Sequence, residues 1–254
     1  MSATLLSTSE LCLSFGGVQA VRDVTFEVEQ GEVYSIIGPN GAGKTSIFNL
    51  ISRLYDVDAG NIEFKGESII EMPPHNIARL GIARTFQNTE LFEHETVLKN
   101  MLIGRHVHRK TNLLSELLFL PEVACQELRF REIVEDVIDL LDLQSYRNQV
   151  IGSLPYGVRK MVEVARALCI QPELLLLDEP SSGLNPEETE DVSFWIEDIN
   201  KDFGVTIIMV EHDMNLVSRA SNRVMALADG AVLAVGSPEQ IQNHPEVLRA
   251  YLGD

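Results

Sequence analysis

The run Gly38-Pro39-Asn40-Gly41-Ala42-Gly43-Lys44-Thr45 combines backbone freedom, one amine and one hydroxyl in the spacing G-x-x-x-x-G-K-[ST]. Glycines let successive N–H groups turn inward as an anion nest, and a helix beginning at the end of the run adds partial positive charge. In that setting Lys44 reaches the β- and γ-phosphates of a nucleotide and Thr45 offers its hydroxyl to Mg²⁺. The expected phosphate-binding residues are Gly38, Pro39, Asn40, Gly41, Ala42, Gly43, Lys44, Thr45 and Ser46. A second constellation, Leu174-Leu175-Leu176-Leu177-Asp178-Glu179, is an apolar run ending in two carboxylates. Asp178 is suited to the metal shell, and Glu179 to orienting and deprotonating an attacking water.

These side chains act only if the backbone presents them at strand ends. Val33 to Ile37 is a short apolar, β-branched run stopping at Gly38, and Ile47, Leu50 and Ile51 recur at helical spacing after Lys44, so the pattern predicts strand, glycine-rich loop, helix. Val24, Phe26 and Val28 alternate with Thr25, Glu27 and Glu29, which predicts a strand with one wet face and an antiparallel N-terminal sheet. Between Glu90 and Gly152 helical periodicity takes over, as in Ile133, Val137, Ile138 and Leu141, with Pro121 as punctuation, and this stretch reads as a helical insertion. The runs Leu174–Leu177 and Val205–Val210, separated by helical patterning, predict parallel strands. Asp229-Gly230, flanked by Arg223–Leu227 and Ala231–Val235, predicts a hairpin, and Pro238 and Pro245 mark two helix starts.

Composition narrows the partners. The 254 residues carry 20 Lys and Arg against 38 Asp and Glu, a formal net charge of -18, which disfavours contact with a nucleic-acid backbone. Cys12, Cys125 and Cys169 stand far apart and match no disulfide framework or zinc spacing, and Cys12 and Cys169 read as small core residues. No apolar run approaches the ~18 residues of a membrane span, and Met1–Glu10 has no secretory pattern. His106 and His108, beside Arg105, Arg109 and Lys110, read as a solvated basic face.

A phosphate cradle with paired carboxylates fits a kinase, a GTPase or a transport ATPase. The order of the remaining motifs resembles the nucleotide-binding subunits of ATP-binding cassette transporters over essentially the whole chain. Leu154-Pro155-Tyr156-Gly157-Val158-Arg159 lies where that family carries its signature, Gln87 follows Arg84-Thr85-Phe86 where it carries a glutamine loop, and His212 matches its switch histidine. Ser181-Ser182-Gly183-Leu184-Asn185 matches the loop that meets the opposite subunit, and Phe15 stands where the family stacks an aromatic on adenine. The resemblance implies an α/β P-loop NTPase of the cassette type, with a mixed sheet core, an antiparallel N-terminal sheet and a helical subdomain insertion. Its implied divisions are 1–89 for the first part of the core, 90–167 for the helical subdomain and 168–254 for the rest. It also implies catalytic roles for Glu179, His212, Gln87 and Lys44, Mg²⁺ ligation by Thr45, Gln87 and Asp178, and ATP contacts from Phe15, Pro155, Tyr156 and Gly157.

The signature departs from the family's usual Leu-Ser-Gly-Gly-Gln, with Pro155 for serine, Tyr156 for glycine and Val158 for glutamine, and Asn185 replaces an aspartate. One hydroxyl donor is thereby lost, and the ATP site that this segment completes is expected to differ from the one on the chain's own P-loop. Arg84-Thr85-Phe86-Gln87, the insertion around Thr111 to Phe130, Gly183-Leu184-Asn185-Pro186, Glu211-His212-Asp213-Met214 and the ending from Gly236 to Gly253 resemble the longer ATP-binding subunit of branched-chain amino-acid importers. That resemblance implies a second, heteromeric ATPase subunit, two membrane permeases, an extracytoplasmic solute-binding protein, no nucleic acid, and a place on the cytoplasmic face of the inner membrane. A lipopolysaccharide-type exporter ATPase and a soluble cassette ATPase are the alternatives.

Overall fold

A computed structural model describes residues 3–85, 91–109 and 121–252. Strand β2 (Val18–Glu29) buries Val24, Phe26 and Val28 and exposes the residues between them, as period-two patterning requires. It pairs antiparallel with β1 (Thr4–Phe15), which pairs with β4 (Ala59–Phe64), followed by β5 (Glu67–Ser68), in the order β2-β1-β4-β5.

The second sheet has the order β10-β9-β3-β8-β7-β6, built from β3 (Val33–Ile37), β6 (Ile82–Arg84), β7 (Leu174–Asp178), β8 (Thr206–Val210), β9 (Arg223–Ala228) and β10 (Ala231–Gly236). All neighbours pair in parallel except β9 and β10, which form a hairpin. Asp229 and Gly230 both take positive φ there, 48° and 79°, the backbone that a two-residue turn needs to follow strand twist. Every residue of β3, β7 and β8 is buried, because both faces of the sheet are covered. Tyr34, Ile36, Leu174 and Leu176 face a core shared with the N-terminal sheet and helix α1 (Lys44–Ile51), whereas Val33, Ile37, Leu175 and Leu177 face a core made with the helices.

The chain leaves the sheet after Arg84 and re-enters it at Leu174. The described part of that excursion contains α3 (Val97–Gly104), α4 (Pro121–Leu140) and α5 (Tyr156–Leu168), after the short α2 (Pro74–Leu80). Val97, Met101, Val134, Val137, Ile138 and Leu168 pack into the same core as Val33 and Leu177, so the excursion and the sheet share one apolar interior. Helices α6 (Pro186–Asp202), α7 (Met214–Ala220), α8 (Pro238–Gln242) and α9 (Pro245–Leu252) complete the fold. Pro186, Pro238 and Pro245 each open their helix, where a missing N–H costs nothing.

Two readings are corrected. Arg105 is not part of a solvated face: it is buried, donates to Cys169 O and Gln171 Oε1, and lies 5.0 Å over the Phe130 ring. Cys12 is only half-buried, while Cys169 is enclosed, and burial pushes its thiol up to about 12. Among the described residues no helix is long and apolar enough to cross a membrane, and no cluster of His, Cys, Asp and Glu is arranged to hold a metal ion on its own.

Candidate functional site

The parallel strands β3, β7 and β8 end on the same edge of the sheet, and the chemistry lies in the residues just beyond them. After Ile37 the chain turns at Gly38, where a Cβ would come 2.3 Å from Leu227 O, and enters α1 at Gly43, where a Cβ would come 2.3 Å from Ala20 O. Gly43 has a φ of 99°, so the loop needs glycine there for both space and backbone. No side chain caps the start of α1 and no acid lies in its first turn, which leaves its N–H groups for an anion. Gly230 N–H donates to Ala42 O and Arg22 N–H to Gly230 O, so the β9–β10 hairpin braces the loop from outside.

Lys44 folds back over the loop, its Nζ donating to Gly38 O at 2.7 Å and Pro39 O at 3.0 Å. Burial holds its amine below the usual lysine value, while the charges of Glu179 and Asp178 pull it upward. Thr45 is exposed on the first turn of α1 and Ser46 is half-buried behind it. Phe15, at the end of β1, is exposed and meets Tyr55 edge to face with ring centroids 5.2 Å apart, which leaves a ring surface open.

Asp178 closes β7 and is buried, its Oδ2 paired with Arg84 at 2.9 Å. Its Oδ1 is enclosed and has no hydrogen-bond partner among the described residues. Glu179 follows with a φ of 49°, a left-handed backbone that a non-glycine residue adopts only at a cost of ~1–3 kcal/mol, here held by Glu179 N–H donating to Val210 O at 2.9 Å. That turn brings Glu179 Oε1 within 3.1 Å of His212 Nε2. Residues separated by one strand crossover thus meet at the sheet edge, with a carboxylate whose orientation is set by an imidazole.

Glu211, read in the sequence only as part of Glu211-His212-Asp213-Met214, has a bracing place beside these residues. Its buried carboxylate accepts from Ser181 N–H at 2.8 Å, His212 N–H at 2.8 Å and Asp213 N–H at 3.2 Å, which ties the loop after Glu179 to the loop carrying His212. Tyr251 on α9 lies beside the Gly38 backbone, and partial burial raises its phenol above the usual value while that backbone opposes the rise. The tie from Glu211 to Ser181, 30 residues earlier, carries no local signal.

Pro155, Tyr156 and Gly157 lie apart from this edge, at the start of α5. Pro155 stands at the N-cap, one residue before the helix, and supplies no capping side chain. Tyr156 is 40% exposed, and its ring sits 3.0 Å from where a Gly183 Cβ would be. Its hydroxyl donates to Ser182 O at 3.3 Å. Gly157 faces the carboxylate of Glu188, which together with Asn185 forms the capping box of α6. The signature segment therefore packs on the Ser181–Asn185 loop of its own chain. Gln87, expected at both the catalytic and metal positions, lies outside the described residues.

The family model described as ABC transporter matches residues 21–182, and one described as branched-chain amino acid ATP-binding cassette transporter matches residues 231–254. The high-affinity branched-chain amino acid transport ATP-binding protein BraF of Pseudomonas aeruginosa is 41% identical over the full length of both chains. The lipopolysaccharide export system ATP-binding protein LptB of Haemophilus influenzae is 30% identical, covering 99% of this chain and 98% of its own. A solved ATP-binding cassette of an ABC transporter in its ADP conformation superposes with a TM-score of 0.86 at 27% identity, covering all of both chains. With its P-loop, its paired strand-end carboxylates and this full-length likeness, the chain belongs to the ABC transporter family, as one of its ATP-hydrolysing cassettes.

Proposed function

We propose that this ATPase drives a membrane importer of branched-chain amino acids or related small solutes. Support for the solute class comes from the 41% full-length identity to BraF, against 30% to the exporter protein, and from the match over residues 231–254. On this reading the chain works at the cytoplasmic face of the inner membrane with a second, different ATP-binding subunit, two permeases and, indirectly, an extracytoplasmic solute-binding protein.

The observation that carries hydrolysis is the 3.1 Å contact between His212 and Glu179 beside the P-loop. Glu179 takes a proton from water as the water oxygen attacks the γ-phosphorus; the bond to the ADP oxygen breaks, and ADP and phosphate leave. His212 holds the Glu179 carboxylate in line for that transfer. Lys44 leaves its two carbonyl partners to meet the phosphates, and the N–H groups of the loop at Gly41 and Gly43 with the uncapped ones of α1 spread the developing negative charge. Phe15 offers its open ring to the adenine.

The site fits Mg²⁺: Asp178 Oδ1 is a buried acceptor lacking a hydrogen-bond partner among the described residues, and the exposed Thr45 hydroxyl is a hard oxygen of the kind Mg²⁺ prefers. Thr45, Asp178 and Gln87 are the residues that would hold it, and when bound it neutralises charge on the β- and γ-phosphate oxygens. Pro155, Tyr156 and Gly157 would complete the ATP site of the other subunit. Because Pro155 supplies neither hydroxyl nor cap, that site is expected to turn over more slowly than the one on this chain's P-loop. Comparing Glu179→Gln with the matching change in the other subunit tests this, since equal residual rates would contradict it.

Affinity purification of the tagged chain from detergent-extracted membranes of its native cell, followed by mass spectrometry, tests the assembly. Two permeases and a second ATPase are expected. Recovery from the soluble fraction alone, without any membrane protein, would overturn the importer reading.

A further inference from the structure

Arg84 ends β6 three residues before Gln87, where the edge of the sheet passes α1. Its guanidinium donates to Asp178 Oδ2 at 2.9 Å, to Asn49 Oδ1 at 2.7 Å and to Ser52 Oγ at 3.3 Å. The Phe48 ring lies 5.4 Å from its centre. Side-chain exposures of 8% for Arg84 and 1% for Asp178 make this a buried pair, screened far less than a surface one. Buried pairs add little stability compared with apolar replacements, so stability is a poor reason for this one; their better use is to fix geometry.

A carboxylate with one oxygen held by a planar cation has its second oxygen aimed as well. That second oxygen is Asp178 Oδ1, the enclosed atom that has no hydrogen-bond partner among the described residues. The same guanidinium reaches Asn49 and Ser52, so Asp178 is referenced to the helix that starts at Lys44. A planar fork serves the carboxylate, a side chain of α1 and the Ser52 hydroxyl at its C-cap in one fixed geometry, which the rotatable donors of a lysine ammonium do not impose.

We propose that Arg84 is a positioning residue of the hydrolytic site, setting the orientation of Asp178 and tying it to α1 so that Oδ1 is presented as a metal ligand in register with the P-loop. The inference rests on the assignment of Asp178 to Mg²⁺ made above.

The test uses the full-length protein with Mn²⁺ as the probe, titrated in the presence of a non-hydrolysable ATP analogue and followed by electron paramagnetic resonance. Nucleotide affinity is measured separately in EDTA with a fluorescent ATP analogue. Arg84→Gln is expected to weaken Mn²⁺ binding by about 10- to 100-fold, as loss of an outer partner of a metal ligand does, while affinity in EDTA is unchanged. Arg84→Lys should lie between wild type and Arg84→Gln, and Asn49→Ala, which keeps the ion pair but removes the shorter of its two bonds to α1 and its cap, should show a smaller loss. Circular dichroism establishes that each variant is folded. If Arg84→Gln fails to fold, Arg84→Lys and Asn49→Ala decide, and unchanged Mn²⁺ affinity in both overturns the proposal. Asp178→Asn separates the two layers of the argument. Weakened Mn²⁺ binding in Asp178→Asn with wild-type binding in folded Arg84 variants sinks the positioning role alone, whereas unchanged binding in Asp178→Asn sinks the metal assignment itself.

Discussion

The sheet edge carrying Gly38–Ser46, Asp178, Glu179 and His212 differs in kind from the start of α5 at Pro155–Gly157. At the sheet edge the side chains lie just beyond fully buried strands and are each tied down, locally or across the fold: Lys44 to two carbonyls, Asp178 to Arg84, Glu179 to His212, and Glu211 to three N–H groups. At α5 the helix begins without a side-chain cap, Tyr156 is half out in solvent, and its contacts include one ring against Gly183 and one weak hydroxyl bond to Ser182. One region is preorganised to carry charge; the other is a surface element held to the Ser181–Asn185 loop. On the function proposed above, the P-loop edge holds nucleotide by itself, while the signature segment acts when another surface meets it.

Substitutions at the two regions should therefore separate hydrolysis from binding. Glu179→Gln removes the base and is expected to lower steady-state phosphate release by about 10²- to 10⁴-fold while nucleotide still binds; a loss of less than tenfold would remove Glu179 from that role. His212→Ala takes away a hydrogen bond to a charged carboxylate and should slow release by about 10- to 100-fold in the same assay, with Glu179→Gln/His212→Ala no worse than Glu179→Gln alone. Tyr156→Ala tests the second region: turnover in the assembled transporter should fall by about two- to tenfold, with nucleotide affinity of the isolated chain unchanged. Should Tyr156→Ala weaken nucleotide binding to the isolated chain instead, the contrast between the regions is wrong. The smallest effect is expected from Asn185→Ala, which removes a capping box and should cost about 1 kcal/mol in urea unfolding, leaving binding at the P-loop intact.

The legible parts of the molecule were those where local backbone and chemistry impose a pattern. A loop that turns its N–H groups inward needs glycine at Gly43, and a strand covered on both faces needs the unbroken apolar run of Leu174–Leu177, so both could be read from residue types alone. The hairpin at Asp229-Gly230 was readable because its two-residue turn requires positive φ at both positions. Arg105 misled because its neighbours His106, Arg109 and Lys110 suggest a wet face, whereas the Cys169 carbonyl and the Phe130 ring, both distant in sequence, supply it with a buried niche.

By itself the sequence determined the phosphate loop, the strand-end carboxylates and the alternation of strands and helices, because each depends on residues within one turn or one strand of each other, and it displayed the order of these motifs along the chain. Only the tertiary structure decided that Arg84 pairs with Asp178 from 94 residues away, that Glu211 joins two loops, and that Tyr156 packs on Gly183. Those contacts join elements that meet through sheet order and helix packing, so no local spacing encodes them.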